Sequence, residues 1–233
     1  MKKIQFENNN FILYSPDTLN YITYDLENIL NESLNKYKVV FDVDDFWKVS
    51  IYYFDNINNF REYVYSLRGE KESLPEYAKG VYDKGSIIGY IEPNIIKETP
   101  LYTKRKLNAS HELFHIMYQE LIWDKSYDRI VWFDEGMAQL FSNDYKSQLI
   151  NKTYDEFVRQ VFTKTKILPN LNELSHGSSF QNENYNGYYL SLIAVKYIYD
   201  SIGLEEFKKL LHNPNRIREY GENVLKVIKE KYL

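Results

Sequence analysis

Two histidines four residues apart, in Ser110-His111-Glu112-Leu113-Phe114-His115-Ile116, are the part of this chain best equipped for chemistry. On a helix, residues four apart share a face, so the His111 and His115 imidazoles can converge on one metal ion. Glu112 stands about 100° further round the helix, beside the metal and not on it. A base must stand there to take a proton from water held by the metal. The rest of the turn, with Leu113, Phe114, Ile116 and Met117, is apolar. Such a helix is buried, and the polar side chains inside it need partners. Downstream, Trp132-Phe133-Asp134-Glu135-Gly136-Met137-Ala138 places a carboxylate nineteen residues (116–134) beyond His115, on the next helical segment. A catalytic zinc takes three protein ligands and keeps one position open, and two histidines with a glutamate form such a set. His111, His115 and Glu135 are therefore the expected ligands of one Zn²⁺ per chain. Gly136, just after the third ligand, would let its helix approach a neighbour closely.

His-Glu-x-x-His followed by x-x-Glu-Gly-x-Ala resembles the gluzincin zinc metallopeptidases, the thermolysin-like and peptidase-MA-like proteins, in both motif and gap. Leu171-Asn172-Glu173-Leu174 and the run from Tyr188 through Ser191 to Gly203 resemble the closing helical segment of the small peptidase-MA-like domains. The resemblance extends over roughly residues 80–211 and is specific only at the metal motifs. It implies a zincin-like fold and hydrolysis of peptide bonds, with peptides or proteins as substrates. Glu112 would be the general base and Tyr188 the donor to the tetrahedral oxyanion, with Tyr185 and His176 as rivals for that donor role. The strand before the motif helix would be a sheet edge to which an extended peptide adds as a further strand, and Ser86–Ile91 is the candidate. One departure stands out. Thermolysin-like proteins carry an Asp four residues after the ligand glutamate, and this chain has Gln139 there. An amide oxygen can accept a histidine N–H but adds no charge; Asp134 or Asp144 could take that place. Glu92 lacks the surrounding pattern of the aminopeptidases and takes no amine-binding role. The alternative to an enzyme is a non-catalytic zinc-binding member of the same fold that serves as a protein-interaction module. Such a scaffold needs no free carboxylate at Glu112.

Composition leaves room for these readings. The chain has 233 residues, 44% hydrophobic and 27% charged, enough for a substantial core. With a net charge of −4 and no long basic tract, nucleic acid is not an expected partner. Cysteine is absent, which excludes disulfides and thiolate ligands. The start, Met1-Lys2-Lys3-Ile4, carries signal-like charges without an apolar segment behind them, and no apolar run reaches membrane-spanning length. The expectation is a cytoplasmic protein that does not enter the membrane. Its 23 tyrosines fit a compositional bias shared with Asn, Ile and Lys.

The elements that must position these residues follow from periodicity. A helix starts at Ser15-Pro16-Asp17 and carries Leu19, Ile22, Leu26, Ile29, Leu30 and Leu34. Val39-Val40-Phe41 and Lys48–Phe54 read as strands, and Asn56–Leu67 as a second amphipathic helix. Glu70–Glu76 is a charged loop. Gly80–Asp83 and Ser86–Ile91 form a hairpin around Lys84-Gly85. Helices follow over Lys104–Trp123, Arg129–Phe141, Asp155–Phe162, Tyr188–Asp200, Leu204–Leu211 and Glu222–Lys231. The polar stretch Ser175–Asn184 is a cleft wall or lid, or else a plain surface loop. Strands early and helices late, without βαβ alternation, indicate an α+β protein. Residues 1–128 would form a sheet-and-helix lobe with the His-Glu-x-x-His helix. Residues 129–233 would form a helical lobe carrying the third ligand.

Overall fold

A computed structural model describes residues 3–69, 74, 78–175 and 179–233. It contains both helices and a mixed five-stranded sheet, and the chain divides into two compact units, Met1–Ile116 and Met117–Leu233.

The first unit is built on strands β1 (Lys3–Glu7), β2 (Phe11–Ser15), β3 (Val49–Phe54), β4 (Gly80–Asp83) and β5 (Ser86–Tyr90), in the order β1-β2-β3-β5-β4. β1 and β2 form a hairpin absent from the sequence expectations. Asn8 makes its turn: its side-chain oxygen accepts from the amides of Asn10 and Phe11, both at 2.9 Å. The signal was present, since Phe11-Ile12-Leu13-Tyr14 is an apolar run set between an asparagine turn and Pro16. β2 and β3 pair in parallel, with helix α1 (Asn20–Phe41) between them in the chain, and β3 and β5 also pair in parallel. The expected absence of βαβ alternation is therefore corrected for this unit. The broader mixture of helix and sheet stands.

α1 runs through Val39-Val40-Phe41, which was expected to be a strand. Tyr37, Val40 and Phe41 continue the buried stripe of Leu26, Leu30 and Leu34, so burial outweighs the strand preference of the valines. Asp42, in the left-handed region at φ 57°, ends the helix. α2 (Ile57–Arg68) starts at Asn56, whose side chain accepts from the amides of Asn58 and Asn59. Its Phe60 and Val64 pack with Ile88 of β5, and Val81 of β4 joins that cluster. The β4–β5 hairpin forms as expected, with Lys84 (φ 45°) and Gly85 (φ 72°) both left-handed as a two-residue turn requires. β5, however, lies inside the sheet between β3 and β4. Ser86–Ile91 is thus not the edge, because β5 pairs with β3 and leaves the earlier strand, β4, outermost. The expected charged loop at Glu70–Glu76 lies outside the described residues except for Leu74. Motif helix α3 (Pro100–Tyr118) packs on α1 through Tyr37 and Phe41, whose rings lie 5.1 Å from that of Phe114.

The second unit is helical among its described residues. A π-helical turn at Gln119–Trp123 and the short α4 (Asp124–Ser126) precede α5 (Val131–Ser142), α6 (Tyr154–Lys164), α7 (Gly187–Leu211) and α8 (Pro214–Tyr232). α7 contains both segments expected over 188–200 and 204–211, separated by a kink at Gly203 (φ 74°, ψ 171°). α8 begins eight residues earlier than expected. Asn213 caps it, and Pro214, which lacks an N–H, suits its first turn. No helix among the described residues is long and apolar enough to cross a membrane.

Candidate metal centre

α3 is held against α1 beside its two histidines. Ser110, adjacent to His111, is fully buried. Its hydroxyl lies 2.7 Å from Ser33 Oγ and 2.6 Å from Tyr37 Oη, both on α1. Seven residues before Glu112, the buried Arg105 holds Glu92 through Nε at 2.7 Å and Nη2 at 2.5 Å. Burial alone would push the Glu92 carboxyl up, but hydrogen bonding and charge from Arg105 outweigh it and hold the group below its ordinary range. Glu92 is thus a brace for the helix.

On the sheet-facing side of α3, His111 and His115 turn their Nε2 atoms toward one point, 3.0 Å apart, with the rings 77° from coplanar. Two nitrogens bound to one tetrahedral zinc at ~2.0–2.1 Å stand ~3.3 Å apart, so the pair is close to the separation a shared ion requires. The His115 ring stacks on Tyr82 of β4, with centroids 5.2 Å apart, which fixes its plane. Glu112 is 6% exposed, and Asn108 Nδ2 donates to its Oε1 at 3.1 Å. Asn108 is itself confined: a Cβ on Gly80 of β4 would lie 2.1 Å from its Oδ1. Only glycine at position 80 lets the amide stand where it can hold the glutamate. Tyr53 of β3 lies fully buried near Glu112, and its hydroxyl has no hydrogen-bond partner among the described residues. Burial first, and then the charge of Glu112, push that hydroxyl well up, so Tyr53 stays neutral. Asn108, Gly80, Tyr82 and Tyr53 were not identified from the sequence. Asn108 stands one turn before Glu112 on α3, a spacing that could have marked it, whereas Gly80, Tyr82 and Tyr53 meet the motif only through the sheet.

In the second unit, Glu135 sits on the first turn and a half of α5. Arg129 bridges two carboxylates there, with Nε at 2.6 Å from Asp134 Oδ2 and Nη2 at 3.0 Å from Glu135 Oε1. Asp134 is fully buried, so its charge requires that pairing. Gln139, four residues after Glu135, acts as a donor: its Nε2 bonds the carbonyls of Glu135 at 3.1 Å and Tyr188 at 2.9 Å. It thereby ties the start of α7 to the turn that carries Glu135. Gly136 meets the expectation of close helix approach, and the neighbour is α7, since an added Cβ would lie 2.5 Å from the Ser191 carbonyl. Tyr188 leans on Phe180, with ring centroids 4.6 Å apart. Of its rivals, Tyr185 donates its hydroxyl to the Ser179 carbonyl at 3.0 Å, and His176 lies outside the described residues. Tyr189 is turned elsewhere, its hydroxyl donating to Gln148 at 2.9 Å. In the polar stretch, the Gly187 amide donates to the Phe180 carbonyl at 2.6 Å, which pins the described part of that segment to the helix start.

The ligand atoms of His111, His115 and Glu135 all lie within 4.8 Å of one another, so these three residues form a group that could hold a metal ion. Two imidazole nitrogens and one carboxylate oxygen suit zinc in type and number. No family model matches the chain, and no curated protein matches it at a significant level.

Proposed function

We propose that this chain is a gluzincin-type zinc metallopeptidase with a zincin-like fold, in which His111, His115 and Glu135 hold one Zn²⁺. The observation that carries the reading is the grouping of those three side chains beside a buried glutamate held by its own amide clamp, Asn108. A structural metal site has no use for Glu112; a hydrolase requires a base there. Zinc, when bound, would lower the pKa of a coordinated water and polarise the scissile carbonyl.

The remaining steps belong to the protein. Glu112, oriented by Asn108, accepts the proton of the attacking water and later delivers it to the leaving amine. Tyr188, anchored through its carbonyl to Gln139 and through its ring to Phe180, donates to the oxygen that gains charge. The substrate lies extended along β4, the edge strand, where main-chain hydrogen bonds hold a peptide without regard to its sequence.

Elemental analysis and cleavage of a peptide library test the reading together. One zinc per chain is expected, and His115→Ala should lose most of it. Glu112→Gln should keep the metal while turnover falls about 10²–10⁴-fold, the usual worth of general-base help. A Glu112→Gln variant that cleaves as well as its parent would make Glu112 a structural partner and refute this assignment, and a zinc-loaded parent that cleaves nothing would make the chain a zinc-binding scaffold.

A further inference from the structure

The hairpin turn decides which main-chain groups of β4 face outward. Asp83 pairs with Ser86, Val81 with Ile88, and the Lys79 carbonyl accepts from the Tyr90 amide at 2.8 Å, so these positions turn toward β5. By the alternation of an antiparallel ladder, the N–H and C=O groups of Gly80 and Tyr82 point to the outer edge. Arg68, the last residue of α2, reaches this edge. Its Nη2 donates to the Tyr82 carbonyl at 2.5 Å, and its Nε lies 3.4 Å from Asp83 Oδ1. Of the five guanidinium N–H groups, those on Nη1 have no protein partner among the described residues, and the side chain is 24% exposed.

We infer that Arg68 is a specificity-determining residue that reads a carboxylate on a peptide docked along β4, an inference that rests on the peptidase reading above. The docked chain pairs at Gly80. Its ladder ends at Tyr82, because Arg68 already occupies the outward carbonyl there. The unused face of the guanidinium then meets the peptide at that end, and a planar cation with paired donors fits a carboxylate better than an amide. Tyr82 is also the residue stacked on His115, so Arg68 lies close along the strand to the metal residues. At about 3.4 Å per strand residue, the carboxylate falls roughly one to three residues from the scissile bond. An acidic side chain or the free carboxyl terminus would supply the same chemistry.

Short acetylated peptides test this, with Glu exchanged for Gln at one position at a time and with free or amidated carboxyl ends. The parent should favour one acidic peptide about tenfold in kcat/KM, mainly through KM. Arg68→Gln should abolish that preference and Arg68→Lys should keep part of it, with thermal melting confirming that both variants are folded. A Glu-over-Gln preference in amidated peptides identifies a side chain as the source; a free-acid preference identifies the terminus. No preference in the parent, or one that survives Arg68→Gln, overturns the inference while leaving the peptidase reading intact. If the parent cleaves nothing, that reading fails instead. Fluorescence anisotropy of the same peptides on Glu112→Gln, with and without Arg68→Gln, then decides the role of Arg68. Acid-selective binding lost with Arg68 supports it, and equal or absent binding overturns it.

Discussion

Arg129 has the most consequential side chain outside the motif, because it joins a fully buried Asp134 to the expected third ligand. Its planar fork holds both carboxylates at once, which a lysine ammonium cannot do in the same geometry. Arg129→Lys should therefore leave the charge and fold in place but weaken zinc binding about 10–100-fold, the usual effect of disturbing a ligand's own partner. Competition with a chromophoric chelator measures this, and unchanged affinity would reduce the ion pair to a structural brace. Tyr188 is tested by its neighbour. Tyr188→Phe should lower kcat about 10²–10³-fold with little change in KM, as expected for an oxyanion donor. Tyr189→Phe removes only a bond to Gln148 and should stay near the parent. Equal activity of both variants would return the donor role to Tyr185 or His176.

Among the elements, the α5–α7 packing carries Glu135 and Tyr188 together. It depends on Gly136, where even one methyl would press on the Ser191 backbone carbonyl as well as on the Val195 side chain. Gly136→Ala should cost about 1–3 kcal/mol, as overpacking usually does. A lower urea midpoint together with weaker zinc binding is the expected pair of results. Loss of stability at full metal affinity would mean that Glu135 does not depend on this contact. The same scale explains the misplaced edge. A hairpin signal identifies two strands and their turn, but not which of the two faces the rest of the sheet. Long-range pairing of β5 with β3 settles that, leaving β4 and Gly80 outside.

For the whole molecule, a ligand that binds only the folded chain adds stability by mass action. Zinc at a hundred times its Kd is worth about 2.7 kcal/mol. For a chain of this size, each 1 kcal/mol moves Tm by about 2–4 °C. Stripping the metal should therefore lower Tm by roughly 5–10 °C. The melting temperature of His115→Ala should not respond to the chelator. A parent equally indifferent to chelation would show that no metal contributes to its fold.

Local chemistry made much of this legible in the sequence alone. Helical spacing put His111 and His115 on one face with Glu112 beside them, and Gly136 announced a close helix contact, because each of these depends on residues within a few turns of one another. The positive-φ turn at Lys84-Gly85 and the kink at Gly203 were readable for the same reason. Only the tertiary structure showed that Asn108 clamps Glu112 because Gly80 makes room for it, that Arg129 holds Glu135, and that Gln139 donates to two carbonyls. It also carried α1 through Val39-Val40-Phe41, where a buried stripe outweighed local strand preference. Those outcomes turn on partners distant in sequence, as Gly80 is from Asn108 and Tyr188 from Gln139, on which way a nearby side chain such as Arg129 turns, or on which face of an element is buried. Periodicity reports that a face is apolar, but what covers it is decided by the packing of the whole chain.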